Sequence, residues 1–295
     1  MKKPVFTGSG VAIVTPFNQS GIDWTKLAEL IEFQIKNSTD AIIICGTTGE
    51  SSTMTDEEHV EAIRFAVKQV AGHVPVVAGA GSNDTSYALT LIQESEKAGA
   101  NAILLVTPYY NKTTQAGLVK HFTYLADRTK LPIILYNVPA RTGMTIAPET
   151  YYELSKHDNI NAAKEACGNL SEIAKTAALC GGDLLLYSGN DDNIVPIMSL
   201  GGIGVISVLA NVLPRETHDI CQFYLDGKVK ESCELQLKLL EFMNNLFIEV
   251  SPIPVKTAMN LMGFNVGSPR MPLDIEMSDK NLAILKESMK KIGLI

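Results

Sequence analysis

Lys164 is the residue whose surroundings most suggest chemistry. It lies within the apolar run Ile160 to Ala166, and a strand buried on both faces is a costly place for an ammonium group. Burial favours the free amine, the form that Schiff-base chemistry requires. The alternative is a lysine one residue past the buried stretch, paired with Glu165 and reaching solvent, since lysine is rarely fully buried. Thr47 and Thr48 stand in Gly46-Thr47-Thr48-Gly49-Glu50. They either end a strand or present hydroxyls to a substrate carboxylate and a proton relay, and the flanking glycines admit close approach of backbone to a ligand. Tyr109, Tyr110 and Tyr136 either pack as rim residues or, beside an imine-forming lysine, move protons in carbinolamine formation and dehydration. Arg141, in the loop Pro139-Ala140-Arg141-Thr142-Gly143, is either a surface cation or a fork for bidentate carboxylate capture.

The elements that must hold these groups follow from the apolar pattern. Eight short runs rich in β-branched residues recur: Val11 to Thr15, Ala41 to Cys45, Val74 to Ala78, Ala102 to Thr107, Pro132 to Asn137, Ile160 to Ala166, Leu184 to Ser188 and Ile203 to Val208. Near-continuous apolarity is the mark of parallel strands buried on both faces. Between them Leu27, Leu30, Ile31 and Ile35, and Val60, Ile63 and Val67, fall at helical spacing. Thr55 and Glu58 read as a capping box. The pattern predicts an α/β chain with a (β/α)8 barrel over residues 1–226, a fold that takes ~250 residues; a doubly wound sheet is the alternative. Residues 227–295 carry no strand signal, and the Pro252-Ile253-Pro254 and Pro269 to Pro272 breaks divide them into three helices. They form a small all-helical C-terminal domain packed firmly on the barrel. In such a barrel the reactive groups sit at the C-terminal ends of strands. Thr47 and Thr48, Tyr110, Tyr136 and Arg141, Lys164, and Gly189 all fall at or just past the end of a run.

Composition narrows the function. A net charge of −7 and a pI near 5.3 argue against nucleic acid or an anionic membrane as partner, because such binding needs clustered Lys and Arg. Five cysteines without a C-x-x-C pair argue against a disulfide framework or zinc knuckle and point to a reducing, cytoplasmic setting. No run approaches the ~20 apolar residues of a membrane span, and no apolar signal region follows Met1-Lys2-Lys3. The five histidines are scattered without metal-ligand spacing. Neither a dinucleotide fingerprint, a phosphate loop nor Gly-x-Ser-x-Gly is present.

Taken together, Gly10-Val11-Ala12-Ile13-Val14-Thr15-Pro16-Phe17, Thr47-Thr48-Gly49-Glu50-Ser51, Tyr136-Asn137-Val138-Pro139-Ala140-Arg141-Thr142-Gly143, Lys164-Glu165-Ala166 and Pro252-Ile253-Pro254-Val255-Lys256 resemble the dihydrodipicolinate synthase family of class I aldolase-type lyases. The resemblance spans essentially the whole chain. It implies that Lys164 forms an imine with pyruvate, with Tyr136 as proton donor and acceptor. Thr47 would link Tyr136 to Tyr110, which reaches into a neighbouring subunit, and Thr48 would hold the pyruvate carboxylate. Arg141 would hold the carboxylate of L-aspartate 4-semialdehyde, while Gly189 and Ile206 line the pocket. It further implies a homotetramer built as a pair of tight dimers, with no metal or organic cofactor. Ala166-Cys167-Gly168-Asn169 departs from the family, which commonly has Ser or Thr and then Asp there. The resemblance also matches Ser51, His59 and Asn83 to a lysine-binding cleft of feedback-regulated members. Asp56 stands where those members carry His and Tyr87 where they carry Glu, so weak or absent inhibition by lysine is expected. The nearest rival readings are a sister lyase acting on sugar acids, which Arg141 argues against, and a non-catalytic barrel that senses a small ligand, which retention of Thr47, Tyr110, Tyr136 and Lys164 argues against.

Overall fold

The computed structural model describes residues 2–295, so Met1, the first residue of the expected barrel segment, lies outside them. The strands are β1 (Gly8–Ala12), β2 (Phe17–Asn18), β3 (Gly21–Ile22), β4 (Ala41–Ile44), β5 (Val76–Gly79), β6 (Ala102–Val106), β7 (Ile133–Asn137), β8 (Ile160–Glu165), β9 (Leu185–Ser188) and β10 (Gly204–Ser207). All but β2 and β3 form one closed parallel barrel in the order β1-β10-β9-β8-β7-β6-β5-β4. Closure removes the doubly wound alternative, and each barrel strand falls on one of the eight apolar runs.

Two differences have physical causes. The first strand begins at Gly8, three residues before the expected Val11, because its opening residues are Gly, Ser and Gly and carry no apolar signal. Glycine is nonetheless required there: a Cβ on Gly10 would lie 2.6 Å from Ile43 Cδ1 and 2.7 Å from Phe6 Cζ. The antiparallel pair β2 and β3 has two residues per strand, too short for any periodicity to register.

The barrel interior is filled by Phe6, Ala12, Ile43, Val77, Leu104, Ile134, Ala162, Tyr187 and Ile206. Below the mouth the rings of Phe6 and Tyr187 stack with centroids 4.5 Å apart, and the Tyr187 hydroxyl donates to Phe6 O at 2.6 Å. A second core lies between strands and surrounding helices. It continues through Leu239, Phe242, Met243, Leu285 and Met289 of the C-terminal helices Val229–Asn245, Ile253–Leu261 and Asp279–Lys291, the three expected. No helix among the described residues is long and apolar enough to cross a membrane.

Charge also joins the C-terminal helices to the barrel mouth. Lys256 Nζ meets Glu50 Oε1 at 2.7 Å, both side chains being 1% exposed. Glu50 Oε2 accepts from Arg270 N at 2.8 Å, and Lys256 donates also to Ser268 O. Arg270 forms a bidentate pair with Glu58, the residue that closes the capping box with Thr55. The Phe17 ring lies under both cations, 4.6 Å from Lys256 Nζ and 4.2 Å from Arg270 Cζ. Removing one partner of a buried pair strands the other, typically at ~3–5 kcal/mol. Lys256→Met should therefore lower unfolding stability by about that amount in denaturant titration, and adding Glu50→Gln should recover much of the loss.

At the opposite end of the barrel, Asp40 Oδ2 accepts from Ser9 N at 2.7 Å and meets His218 Nδ1 at 2.9 Å. This hydrogen bond raises the pKa of His218 above its usual value, against partial burial. A group whose folded pKa is raised contributes stability that is fully present below the unfolded pKa of ~6.5 and is lost as pH rises through the folded value. The stability difference between the unmodified chain and His218→Gln should thus be larger at about pH 6 than at about pH 9. Denaturant titrations giving equal differences at both would contradict this role.

Candidate active site

Side chains alternate across a strand, so in β8 Ala162 and Lys164 face the interior while Ala163 and Glu165 face the helices. Lys164 is 6% exposed and is not paired with Glu165, whose carboxylate is engaged outside the wall by Tyr151 and Asn137. The lysine is therefore inside the barrel. Its cross-strand partners are Tyr136 on β7 and Tyr187 on β9, and its Nζ lies 4.2 Å from the centroid of the Tyr136 ring. Three side chains at one level on three adjacent strands thus place a primary amine against a phenol in a largely apolar enclosure, with Ile206 fully buried on β10 in the same inner cluster.

The turn after β4 carries Thr47 and Thr48. It is closed by Gly49 N to Gly46 O and Glu50 N to Thr47 O, both 3.1 Å, and Thr15 Oγ1 donates to Gly49 O at 2.7 Å. A Cβ on Gly49 would sit 3.2 Å from Ile13 O, so the turn packs backbone on backbone. Thr48 is buried and Thr47 exposed. Gly189, after β9, donates to Glu165 O at 2.7 Å. A Cβ there would meet Ala166 Cβ at 2.8 Å, which accounts for glycine beside the end of the lysine strand.

Arg141 lies in the short helix Pro139–Thr142 that follows β7, exposed, with Nη2 donating to Ser251 O at 3.1 Å. The Lys112 side chain packs over Gly143, which takes φ +68 at the end of that helix. Tyr110 is the most exposed of the residues that the sequence assigned to a site. It is 92% exposed with φ +66, in the loop after β6.

Two residues near the lysine carried no assigned role in the sequence. Tyr187 is in register with Lys164, and its position two residues after Leu185 in an inward-facing alternation was the available signal. Asp191, buried after β9, accepts from Val208 N at 3.1 Å and Leu209 N at 2.8 Å and so fastens the end of β10, which carries Ile206. Burial pushes its carboxyl pKa up, while hydrogen bonds and the Lys164 charge act in the opposite direction. The Cys167 thiol, where the chain departs from the family pattern, is pushed up to about 12 by burial and by Glu165, so it stands beside the lysine strand as a neutral group.

The family model of the dihydrodipicolinate synthetase family matches residues 5–292. A protein of Thermoanaerobacter sp. named 4-hydroxy-tetrahydrodipicolinate synthase is 57% identical over 293 residues, covering 99% of this chain and 98% of that one. Among solved structures, a monomeric dihydrodipicolinate synthase variant superposes with TM-score 0.96 at 41% identity, covering 99% of this chain and 98% of the other. The enzyme from Cyanidioschyzon merolae with lysine bound does so with TM-score 0.95 at 37% identity, covering 99% and 100%. With the motif residues assembled at the mouth of a barrel that matches these structures along its whole length, the chain belongs to the dihydrodipicolinate synthetase family.

Proposed function

We propose that this enzyme is a lyase that condenses pyruvate with L-aspartate 4-semialdehyde to 4-hydroxy-tetrahydrodipicolinate, in diaminopimelate and lysine biosynthesis, through an imine on Lys164. The observation that carries the reading is the Lys164 amine, enclosed inside the barrel and 4.2 Å from the Tyr136 ring centroid. The amine adds to the pyruvate ketone, and Tyr136 passes protons as the carbinolamine loses water. The resulting iminium is an electron sink, so loss of a methyl proton gives an enamine, which attacks the aldehyde carbon. The amino group of the semialdehyde then displaces Lys164 by transimination, closing the ring and freeing the lysine.

Thr48 holds the pyruvate carboxylate, Gly189 and Ile206 shape the pocket, and Arg141 captures the semialdehyde carboxylate. An anchored, exposed guanidinium at the mouth suits a small charged aldehyde better than a polyhydroxylated sugar acid. Thr47 and Tyr110 complete a proton relay with Tyr136. The nearly full exposure of Tyr110 supports its insertion into a second copy of the chain, in a tight dimer that pairs into a tetramer. The chemistry calls on no metal or organic cofactor. A cytoplasmic location fits the pathway and the absence of paired cysteines among the described residues.

Incubation with pyruvate and borohydride should inactivate the protein and add one reduced pyruvyl group to Lys164, with Arg141→Ala still labelled but showing a raised semialdehyde KM. Peptide mass spectrometry placing the adduct on Lys256 would overturn the assignment.

A second expectation concerns feedback. The Tyr87 hydroxyl donates to Asp56 Oδ1 at 2.6 Å, so the two residues that differ from lysine-regulated members satisfy one another. Loss of the carboxylate that would pair with a lysine α-amino group removes a charge-assisted hydrogen bond of ~1.5–3 kcal/mol. L-lysine should inhibit weakly or not at all. Half-maximal inhibition below about 1 mM, the ~4 kcal/mol binding scale, would contradict this.

A further inference from the structure

Behind the inner pair Tyr136 and Lys164 lies an outer pair one residue on. The register β7 to β8 aligns Tyr136 with Lys164 and Asn137 with Glu165, and alternation turns the second pair toward the helices. Glu165 is 2% exposed, Asn137 1% and Tyr151 0%. Asn137 Nδ2 lies 3.1 Å from both carboxylate oxygens, and the Tyr151 hydroxyl, from the helix Pro148–Ser155, donates to Oε1 at 2.5 Å. The same asparagine reaches the segment just past Arg141. Its Nδ2 donates to Thr145 Oγ1 at 3.0 Å and its Oδ1 accepts from Ile146 N at 3.2 Å.

We propose that Glu165 is a positioning residue for the reaction: acting through Asn137 and Tyr151 from the outer wall, it fixes the spacing of the Lys164 amine and the Tyr136 phenol inside the barrel. The inference rests on the imine reading given above. A buried carboxylate is costly, and apolar residues of similar volume would hold two strands together at least as well. What apolar packing does not supply is direction. Hydrogen bonds from an amide and a phenol set how far each strand turns about its own axis, and that turn carries the two reacting groups on the opposite face. A displacement of ~1 Å in such a pair can cost ~10²-fold in rate. Burial also raises the pKa of Glu165, against the hydrogen bonds from Tyr151, Cys167 and Asn137, so the group is sensitive to any change in its donors.

The test exchanges donor and acceptor. Asn137→Asp sets two carboxylates against each other; such a pair shares a proton as pH falls. Borohydride trapping of pyruvate on Lys164 should slow roughly 10- to 100-fold at about pH 8 and recover on acidification. The double variant Asn137→Asp with Glu165→Gln restores an amide facing a carboxylate and should bring trapping back to within about threefold of the unmodified chain at the same pH. Wild-type trapping by Asn137→Asp at every pH, or a folded double variant no faster than the single one, would overturn the proposal. If Asn137→Asp does not fold, Tyr151→Phe gives a second reading. Slower trapping per folded molecule supports the positioning role, and unchanged trapping overturns it. No trapping by the unmodified chain would instead remove the imine reading, and this inference with it.

Discussion

An amine on the inner wall of a closed barrel is the constraint to which the rest of the structure answers. The interior of such a barrel is a packed core rather than a pore, so a long polar side chain can point inward only where packing below it is complete and space above it is open. Phe6 and Tyr187 supply the packing: Tyr187 stands level with Lys164 on the next strand, and Phe6, before the first strand, stacks on its ring and accepts from its hydroxyl. Small residues supply the room for those rings. A Cβ on Gly10 would lie 2.7 Å from Phe6 Cζ, and one on Gly204 would lie 1.9 Å from Gly8 O of the neighbouring strand. The amine is left facing the one end where loops instead of rings border it.

That mouth was legible in the sequence because parallel strands buried on both faces leave unbroken apolar runs, and the polar interruptions between runs are the loops that carry function. Thr48, Arg141 and Gly189 fall in such interruptions, while Lys164 stands out as a charge inside the run that becomes β8. The pattern gave no account of what stands behind them. Asn137 and Glu165 are 28 residues apart, and no local periodicity signals that they face each other, since register is a property of the pairing and not of either strand. Lys256 lay in a proline-marked motif yet is 1% exposed against Glu50, 206 residues earlier. Gly8 and Gly10 failed as strand signal for the opposite reason: a Cβ at either would crowd a neighbour, and an apolar scale cannot see the absence of a side chain.

Tyr110 illustrates a different limit. Its left-handed backbone and 92% exposure are unusual for a large aromatic ring, and nothing among the described residues encloses it. The sequence identified the position through a resemblance, and the chain holds it outward at φ +66, in the left-handed region that few non-glycine residues occupy.

The C-terminal helices bear on both halves of the mouth at once. Lys256, on the helix Ile253–Leu261, fixes Glu50 and so the turn of Thr47 and Thr48. Ser251, two residues before the same helix, accepts from Arg141. Two loops that follow different strands are thereby tied to one rigid element. A loop held only at its own strand would carry its side chain on independent motion, and substrate-positioning groups lose effectiveness steeply with small displacements. Binding both to one helix makes the distance between the two loops a property of packed secondary structure. The C-terminal helices thus supply, through one buried ion pair and one carbonyl, a fixed frame across the mouth that loops held only at their own strands lack.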